Sequence, residues 1–168
     1  MATAKDFHIY LNFLRGLSKI MEEDWQRFAQ DLGLTQAEQH ALWVIDSGEK
    51  ATMSQVAKVG LWDLSTVMQL IKRLKQKGLV TTTKDEQDLR ISYVTLTEEG
   101  KRRKEQSATY SHRLQQVLSD YENKSNEHAQ FMDELKCFLE EINQDVHGKE
   151  FVNWVYGYPV PAGENVKE

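Results

Sequence analysis

The chain has little of what cross-links or interrupts a polypeptide. Its 168 residues include one cysteine, Cys137, so no disulfide can close within it and no cysteine-based metal knot can form. The two prolines, Pro159 and Pro161, lie near the end, and nothing upstream of them forbids long helices. No run approaches the roughly 20 apolar residues that span a bilayer. The opening Met-Ala-Thr-Ala-Lys-Asp-Phe also lacks a basic-then-apolar signal pattern, so a cytoplasmic location is expected. Five histidines (His8, His40, His112, His128, His147) are scattered without metal-ligand spacing. There is no nucleophile elbow, phosphate loop or paired catalytic carboxylate motif. The sequence therefore predicts neither a metal nor a cofactor, and no enzyme.

What is present is a charge contrast. The chain carries a net charge of −5, which taken alone argues against a nucleic-acid partner. Between Lys72 and Lys104, however, ten basic residues stand against five acidic ones, a local +5 that leaves −10 for the rest. A basic centre in an acidic frame is the footprint of a DNA-binding face on a soluble protein, though a solvated helix surface would show the same contrast.

The pattern of apolar residues orders the chain. Phe7, Tyr10, Leu11, Leu14, Leu17, Met21, Trp25 and Phe28 recur at helical spacing, predicting one amphipathic helix from Phe7 to Asp31, ended by Gly33. Thr35 and Glu38 form a capping box for a second helix, with Ala41, Leu42 and Ile45 inward and a stop near Ser47-Gly48. A short helix over Ser54–Val59, closed by Gly60, precedes a longer one from about Asp63 to Lys77, terminated by Gly78. Those are helix-turn-helix proportions. Leu79–Thr83 and Ile91–Thr95 are β-branched and flank a charged loop, which predicts a hairpin, or wing. Thr97 then caps a long helix to about Tyr121, and Ser125 to Val146 makes another. In the tail, Trp154, Tyr156 and Tyr158 are expected to dock on the helical region.

The predicted fold is mainly α (α+β), a winged helix-turn-helix with long terminal helices. Residues 1–168 make one domain, with the winged part at 35–100 and a helical dimerisation part at 5–32 and 101–158. The terminal helices are too long for the small centre to cover, and a second copy of the chain is the simplest partner.

At 100° per residue, Val67, Leu70, Ile71 and Leu74 share one sector of the fourth helix and must face the core. The outward side presents Ser65, Gln69, Lys72 and Gln76, flanked by Trp62, Thr66 and Arg73. Ser65, Thr66 and Gln69 near the N-terminus are base-reading candidates, while Lys72, Arg73 and Lys77 suit phosphate. In the wing, Lys84 adds charge. Asp88 and Arg90, two apart on an extended loop, are expected to point the same way, the carboxylate aiming the guanidinium toward a minor groove.

These residues carry a resemblance. Ser65-Thr66-Val67, Leu70-Ile71-Lys72-Arg73-Leu74, Gly78-Leu79-Val80, Asp85, Asp88, Arg90, Val94 and Leu96-Thr97-Glu98-Glu99-Gly100 resemble the MarR family of winged-helix regulators over roughly residues 7–146. Ser18-Lys19, Glu23-Asp24-Trp25-Gln26, Glu38-Gln39-His40, Leu42-Trp43 and Ala57-Lys58-Val59-Gly60 are similar to its Hpr-type (ScoC) repressors of protease production and sporulation. The resemblance implies a homodimer on double-stranded DNA, repression by promoter occlusion and, in much of the family, release by a small ligand or an oxidant. Two departures stand out. Met68-Gln69 replaces the usual Thr-Arg, so base preference is not inherited, and Leu89-Arg90 replaces the paired arginines of the wing.

Two other readings stay open. A winged helix can serve as a protein-interaction module. A redox sensor needs an accessible, activated thiol, and Cys137 sits mid-helix in the last long helix, whereas the resemblance places such a thiol in the first. His40, on a helix beside core residues, is expected to be a satisfied polar residue.

Overall fold

The computed structural model describes residues 3–46 and 50–157. Helix α1 (Ala4–Asp31) leads into α2 (Gln36–Ile45), the short strand β1 (Ala51–Thr52), α3 (Met53–Val59) and α4 (Leu64–Gln76). The hairpin β2 (Val80–Lys84) and β3 (Ser92–Leu96) follows, and then α5 (Glu98–Ser107), α6 (Arg113–Glu122), α7 (Asn126–His147) and α8 (Lys149–Gly157). The expected stop of α2 at Ser47-Gly48 lies outside the described residues, as do Tyr158 and the two prolines.

Local chemistry sets most of these boundaries. Thr35 accepts from the Glu38 amide while the Glu38 carboxylate accepts from the Thr35 amide, the reciprocal box read from the sequence. Thr52 and Gln55 repeat it at α3. Helix α4 ends where Gly78 takes φ +71°, a left-handed conformation that costs a residue without Cβ little. There the Gly78 amide donates to the Lys75 carbonyl at 3.0 Å and the Leu79 amide to Leu74 at 2.9 Å, satisfying the last free carbonyls.

The sheet is antiparallel in the order β1-β3-β2, with Thr82 opposite Val94 and Val94 opposite Ala51. Strand β1 was not read from the sequence, because two residues carry no periodicity. Around the sheet lies the main core: Leu42, Val44, Val56, Val67, Ile71, Leu74, Val80 and Val94 are buried, with Ala29, Leu32 and Leu34 closing it from the α1–α2 corner.

Two expectations need correction. The predicted single helix from Thr97 to Tyr121 is two helices, α5 and α6, separated by residues 108–112. The break is imposed from a distance. Buried Asp24 of α1 accepts from the Arg113 backbone amide at 2.8 Å and its guanidinium Nε at 2.7 Å, and so supplies the cap that His112 does not. At the other side of the gap, Ser107 Oγ donates back to the Lys104 carbonyl and accepts from Trp43 Nε1 at 2.7 Å. The tail, expected to dock through its aromatic residues and given no helix, forms α8 over residues 149–157, which packs on α7 and α3 and is linked to α3 by the Lys58–Glu150 ion pair. Val152 is buried and Trp154 packs against the core, whereas Tyr156 is exposed and donates to Glu140 at 2.8 Å.

The first half of α1 is the opposite of this closed centre. Phe7, Tyr10, Leu14 and Leu17 form one exposed line, and Phe13, flanking it beside Leu17, is 75% exposed. On α7, Phe138, Leu139 and Ile142 are exposed as well.

Candidate nucleic-acid interface

Helix α4 buries Val67, Leu70, Ile71 and Leu74, as the angular reading required, and exposes Ser65, Gln69, Lys72, Arg73 and Gln76. Asp63 caps it. The Asp63 carboxylate accepts from the Thr66 amide at 2.8 Å, the Thr66 hydroxyl at 2.6 Å and the Ser65 hydroxyl. These donors hold its pKa far below the usual carboxylate range, the Ser65 hydroxyl contributing most. Ser65 and Thr66 thus stand where expected, but with their hydroxyl protons committed to the cap.

Trp62 does not join the outward face. Its ring lies over Gly60, where an added Cβ would fall 2.2 Å from Trp62 Cε3, and it meets the His40 ring edge-on at 5.2 Å. Gly60 is required by that close approach, and Trp62 is a half-buried wall of the core rather than a groove residue. Lys77 is redirected too. Its ammonium donates to Glu38 Oε2 at 2.8 Å and to the Gly33 carbonyl at 2.9 Å, tying the end of α4 to the α1–α2 corner. Burial alone would raise the Glu38 pKa, but the bonds from Lys77 and the Thr35 amide outweigh it and hold the carboxyl below its ordinary value. Lys77 therefore neutralises a buried charge and is not set out for phosphate.

The wing is built on two aspartates. Asp85 accepts from the Gln87 and Asp88 amides, both at 2.9 Å, and from the Tyr93 hydroxyl at 3.0 Å. Asp88 grips Arg90 in a fork, Oδ1 to Nε at 3.0 Å and Oδ2 to Nη2 at 3.1 Å, while Oδ1 also accepts the Arg90 amide. The expected pairing is present, but its cause is a turn, closed by the Ile91 amide on the Asp88 carbonyl, rather than an extended loop. The Arg90 side chain is 91% exposed at the tip. Lys75 Nζ donates to Thr82 Oγ1 at 3.0 Å, joining α4 to β2, so helix and wing present one surface.

The basic window is narrower than its composition. Lys101 pairs with Glu98, Arg102 and Arg103 with Glu99, and Lys104 with Asp46. Among the described residues, Lys72, Arg73, Lys75 and Lys84 are the members of that window outside any ion pair, and all four lie on α4 or the wing. Within that window, the charge available to an anionic partner thus lies on the surface the motif predicts.

A second feature lies at the junction of α1, α2, α6, α7 and α8. A cavity of about 820 Å³ is lined by Trp25, Trp43, Trp154, Met21, Leu118 and Met132, among others. His40 sits there among Trp25 at 5.0 Å, Trp62 and Trp154 at 5.8 Å. Burial pulls its pKa down to about 4, so the ring is neutral. Contrary to expectation, His40 Nε2 has no hydrogen-bond partner among the described residues, and neither has Oε1 of buried Gln39. Cys137 is exposed on α7.

A three-stranded winged helix with a cationic reading helix and a forked arginine at the wing tip defines a winged helix-turn-helix protein. The MarR family model matches residues 32–91, so this part of the chain is similar to MarR-type winged-helix domains. Its sequence is 36% identical over 94 residues to the HTH-type transcriptional regulator Hpr of Halalkalibacterium halodurans, covering 56% of this chain and 49% of that protein. It is likewise 36% identical over 86 residues to the DNA-binding transcriptional repressor ScoC of Bacillus subtilis, covering 51% of this chain and 42% of the relative. The chain thus spans about half the length of these curated relatives. Streptococcus pneumoniae FabT, solved in complex with DNA, shares the fold with a TM-score of 0.67 at 23% identity, over 86% of this chain and 99% of FabT. The relatives are transcription regulators rather than enzymes. No helix among the described residues is long and apolar enough to cross a membrane.

Proposed function

We propose that the protein is a transcriptional repressor that binds duplex DNA as a two-fold dimer, with α4 in the major groove and the wing in the flanking minor groove. One observation carries this reading: within the basic window of residues 72–104, the described cations outside ion pairs gather on α4 and the wing, beside an arginine held outward by its own carboxylate. Phosphate contacts fall to Lys72, Arg73 and Lys84, and base contact to Gln69, whose amide can bond both N6 and N7 of adenine. The exposed apolar lines of α1 and α7 supply the dimer interface, assigning residues 5–32 and 101–158 to assembly and 35–100 to DNA. The names of the relatives support repression, and the Hpr-type resemblance supports genes of protease production and sporulation as targets, in the cytoplasm.

Selection from a random duplex pool, followed by salt titrations of variants, tests this reading. Gln69→Ala should lose affinity for the selected operator and keep its affinity for scrambled DNA. Lys72→Ala should weaken both alike and flatten the salt dependence by about one unit per site. A pool from which no duplex is enriched rejects the proposal in favour of a protein-interaction module.

The cavity beside His40 favours a second, compatible reading, in which a small aromatic molecule modulates DNA binding. Support comes from the three tryptophans and from two buried polar atoms without partners among the described residues, since such atoms are costly unless something bonds them. A fluorescence screen of tryptophan quenching, repeated on His40→Phe, tests it; compounds that quench both alike do not use this site.

A further inference from the structure

The reading face of α4 is less polar than its outward sequence suggests. The hydroxyl protons of Ser65 and Thr66 are committed to Asp63, so its N-terminal half offers those oxygens only as acceptors, and the large side chains exposed beside them are apolar. Met68 is 60% exposed, Leu64 48% and Leu61 47%. Leu64 and Met68 are four residues apart and share a face. Eleven residues on from Leu64, three turns along the same line, stands Lys75, which is bonded to β2. The apolar strip therefore runs on the wing side of the reading face, next to Gln69 and ahead of the unpaired Lys72 and Arg73. An exposed apolar strip among cations is poorly placed to meet phosphate. A base edge that is itself apolar suits it, and in the major groove only thymine offers one, through its 5-methyl group.

We propose that Met68, with Leu64 beside it, reads thymine methyl groups in each half-site, so that specificity comes from apolar contact as well as from the Gln69 amide. This inference rests on the DNA-binding reading above. The flexible thioether follows a methyl across small differences in docking, and a thymine next to an adenine held by Gln69 makes an A·T-rich half-site the matched sequence. A cytosine at the same step offers an amino donor that leucine cannot accept and a thioether accepts only weakly, so mismatch there costs desolvation with little return.

Replacing thymine by deoxyuridine in the selected operator removes the methyl and leaves every hydrogen-bonding group in place. Wild-type protein should lose about fourfold in affinity for each contacted methyl removed, and about sixteenfold when both half-sites change, from roughly 0.8 kcal/mol per buried methyl. Met68→Ala should bind the thymine operator more weakly and respond little to uracil at those positions. Leu64→Ala, an exposed change that leaves Met68 in place, should retain part of the response. Equal affinity of wild type for thymine and uracil operators overturns the inference while leaving DNA binding intact. So does an undiminished uracil penalty in Met68→Ala, which would assign the methyl to another side chain. Failure to bind any duplex overturns the DNA-binding reading, and this inference with it.

Discussion

Helices α1 and α4 are both amphipathic and both carry four or more apolar residues at helical spacing, yet their apolar faces meet opposite fates. In α4, Val67, Leu70, Ile71 and Leu74 are at most 3% exposed. In the first half of α1, Phe7 is 65% exposed and Leu14 60%. The difference lies in what the chain supplies to cover them. Helix α4 is enclosed by α2, α3 and the hairpin, whereas the buried residues of α1 are Asp24, Phe28 and Ala29, all near its C-terminal end. A single chain thus completes one core and leaves a second unfinished. The proposed reading surface belongs to the completed part, and the proposed assembly surface to the exposed half of α1.

The sharpest way to break that contrast is to charge the unfinished face. Leu14→Glu should leave the fold and its helix content unchanged, since the side chain meets little within one chain. The dimer should dissociate about 10²–10⁴ times more readily, because about 1.5–3 kcal/mol of leucine burial is lost twice across a two-fold axis. Sedimentation equilibrium measures it, and a dimer constant equal to wild type would show that this line is not the interface.

Next in size is the division between structural and binding charge within the completed part. Lys77→Met should lower unfolding stability by roughly 3 kcal/mol by stranding the buried Glu38 carboxylate, with the DNA salt slope unaltered. Urea denaturation reads the first quantity and a salt titration the second. Lys72→Ala should do the reverse, changing stability by less than about 0.5 kcal/mol and the slope by about one unit per site. The Glu38 pKa is held below its ordinary value in the fold. Its contribution in wild type is therefore present above the unfolded carboxylate pKa and lost as pH falls through the folded one, a loss that Lys77→Met should blunt.

The smallest effect concerns the wing. Arg90→Ala should weaken operator binding roughly tenfold, as expected for one charge-assisted contact. Asp88→Ala should cost less, because the guanidinium remains but is no longer aimed. If both variants match wild type at moderate salt, Arg90 is a surface residue and the contrast between closed core and reading surface stops at α4.

What could be read from the sequence was whatever is decided locally. Capping boxes at Thr35, the glycine stop at Gly78, the inward sector of α4 and the Asp88–Arg90 spacing all depend on residues within a few positions of each other. What escaped depends on partners far along the chain. The gap before α6 contains no glycine or proline and exists because Asp24, 89 residues upstream, caps Arg113. Strand β1 exists only through its pairing with β3, and α8 through its seat on α3 and α7. The same rule explains the site. Lys77 looked like a phosphate ligand until Glu38, 39 residues away, accounted for its charge. Ser65 and Thr66 looked free because Asp63 was read as a helix start and not as a consumer of their protons.

The fork between Asp88 and Arg90 has an entropic consequence. A free arginine samples many rotamers, and immobilising such a side chain on association costs about 0.5–1.5 kcal/mol. Here two guanidinium bonds and one amide bond already restrict Arg90 in the unbound chain, so that loss of freedom accompanies folding and not encounter. Only part of the guanidinium is engaged: Nη1 makes no bond in the fork, and it extends from a side chain that is 91% exposed. On the proposed DNA-binding reading, the arginine would meet the minor groove with its orientation already set and with donors to spare.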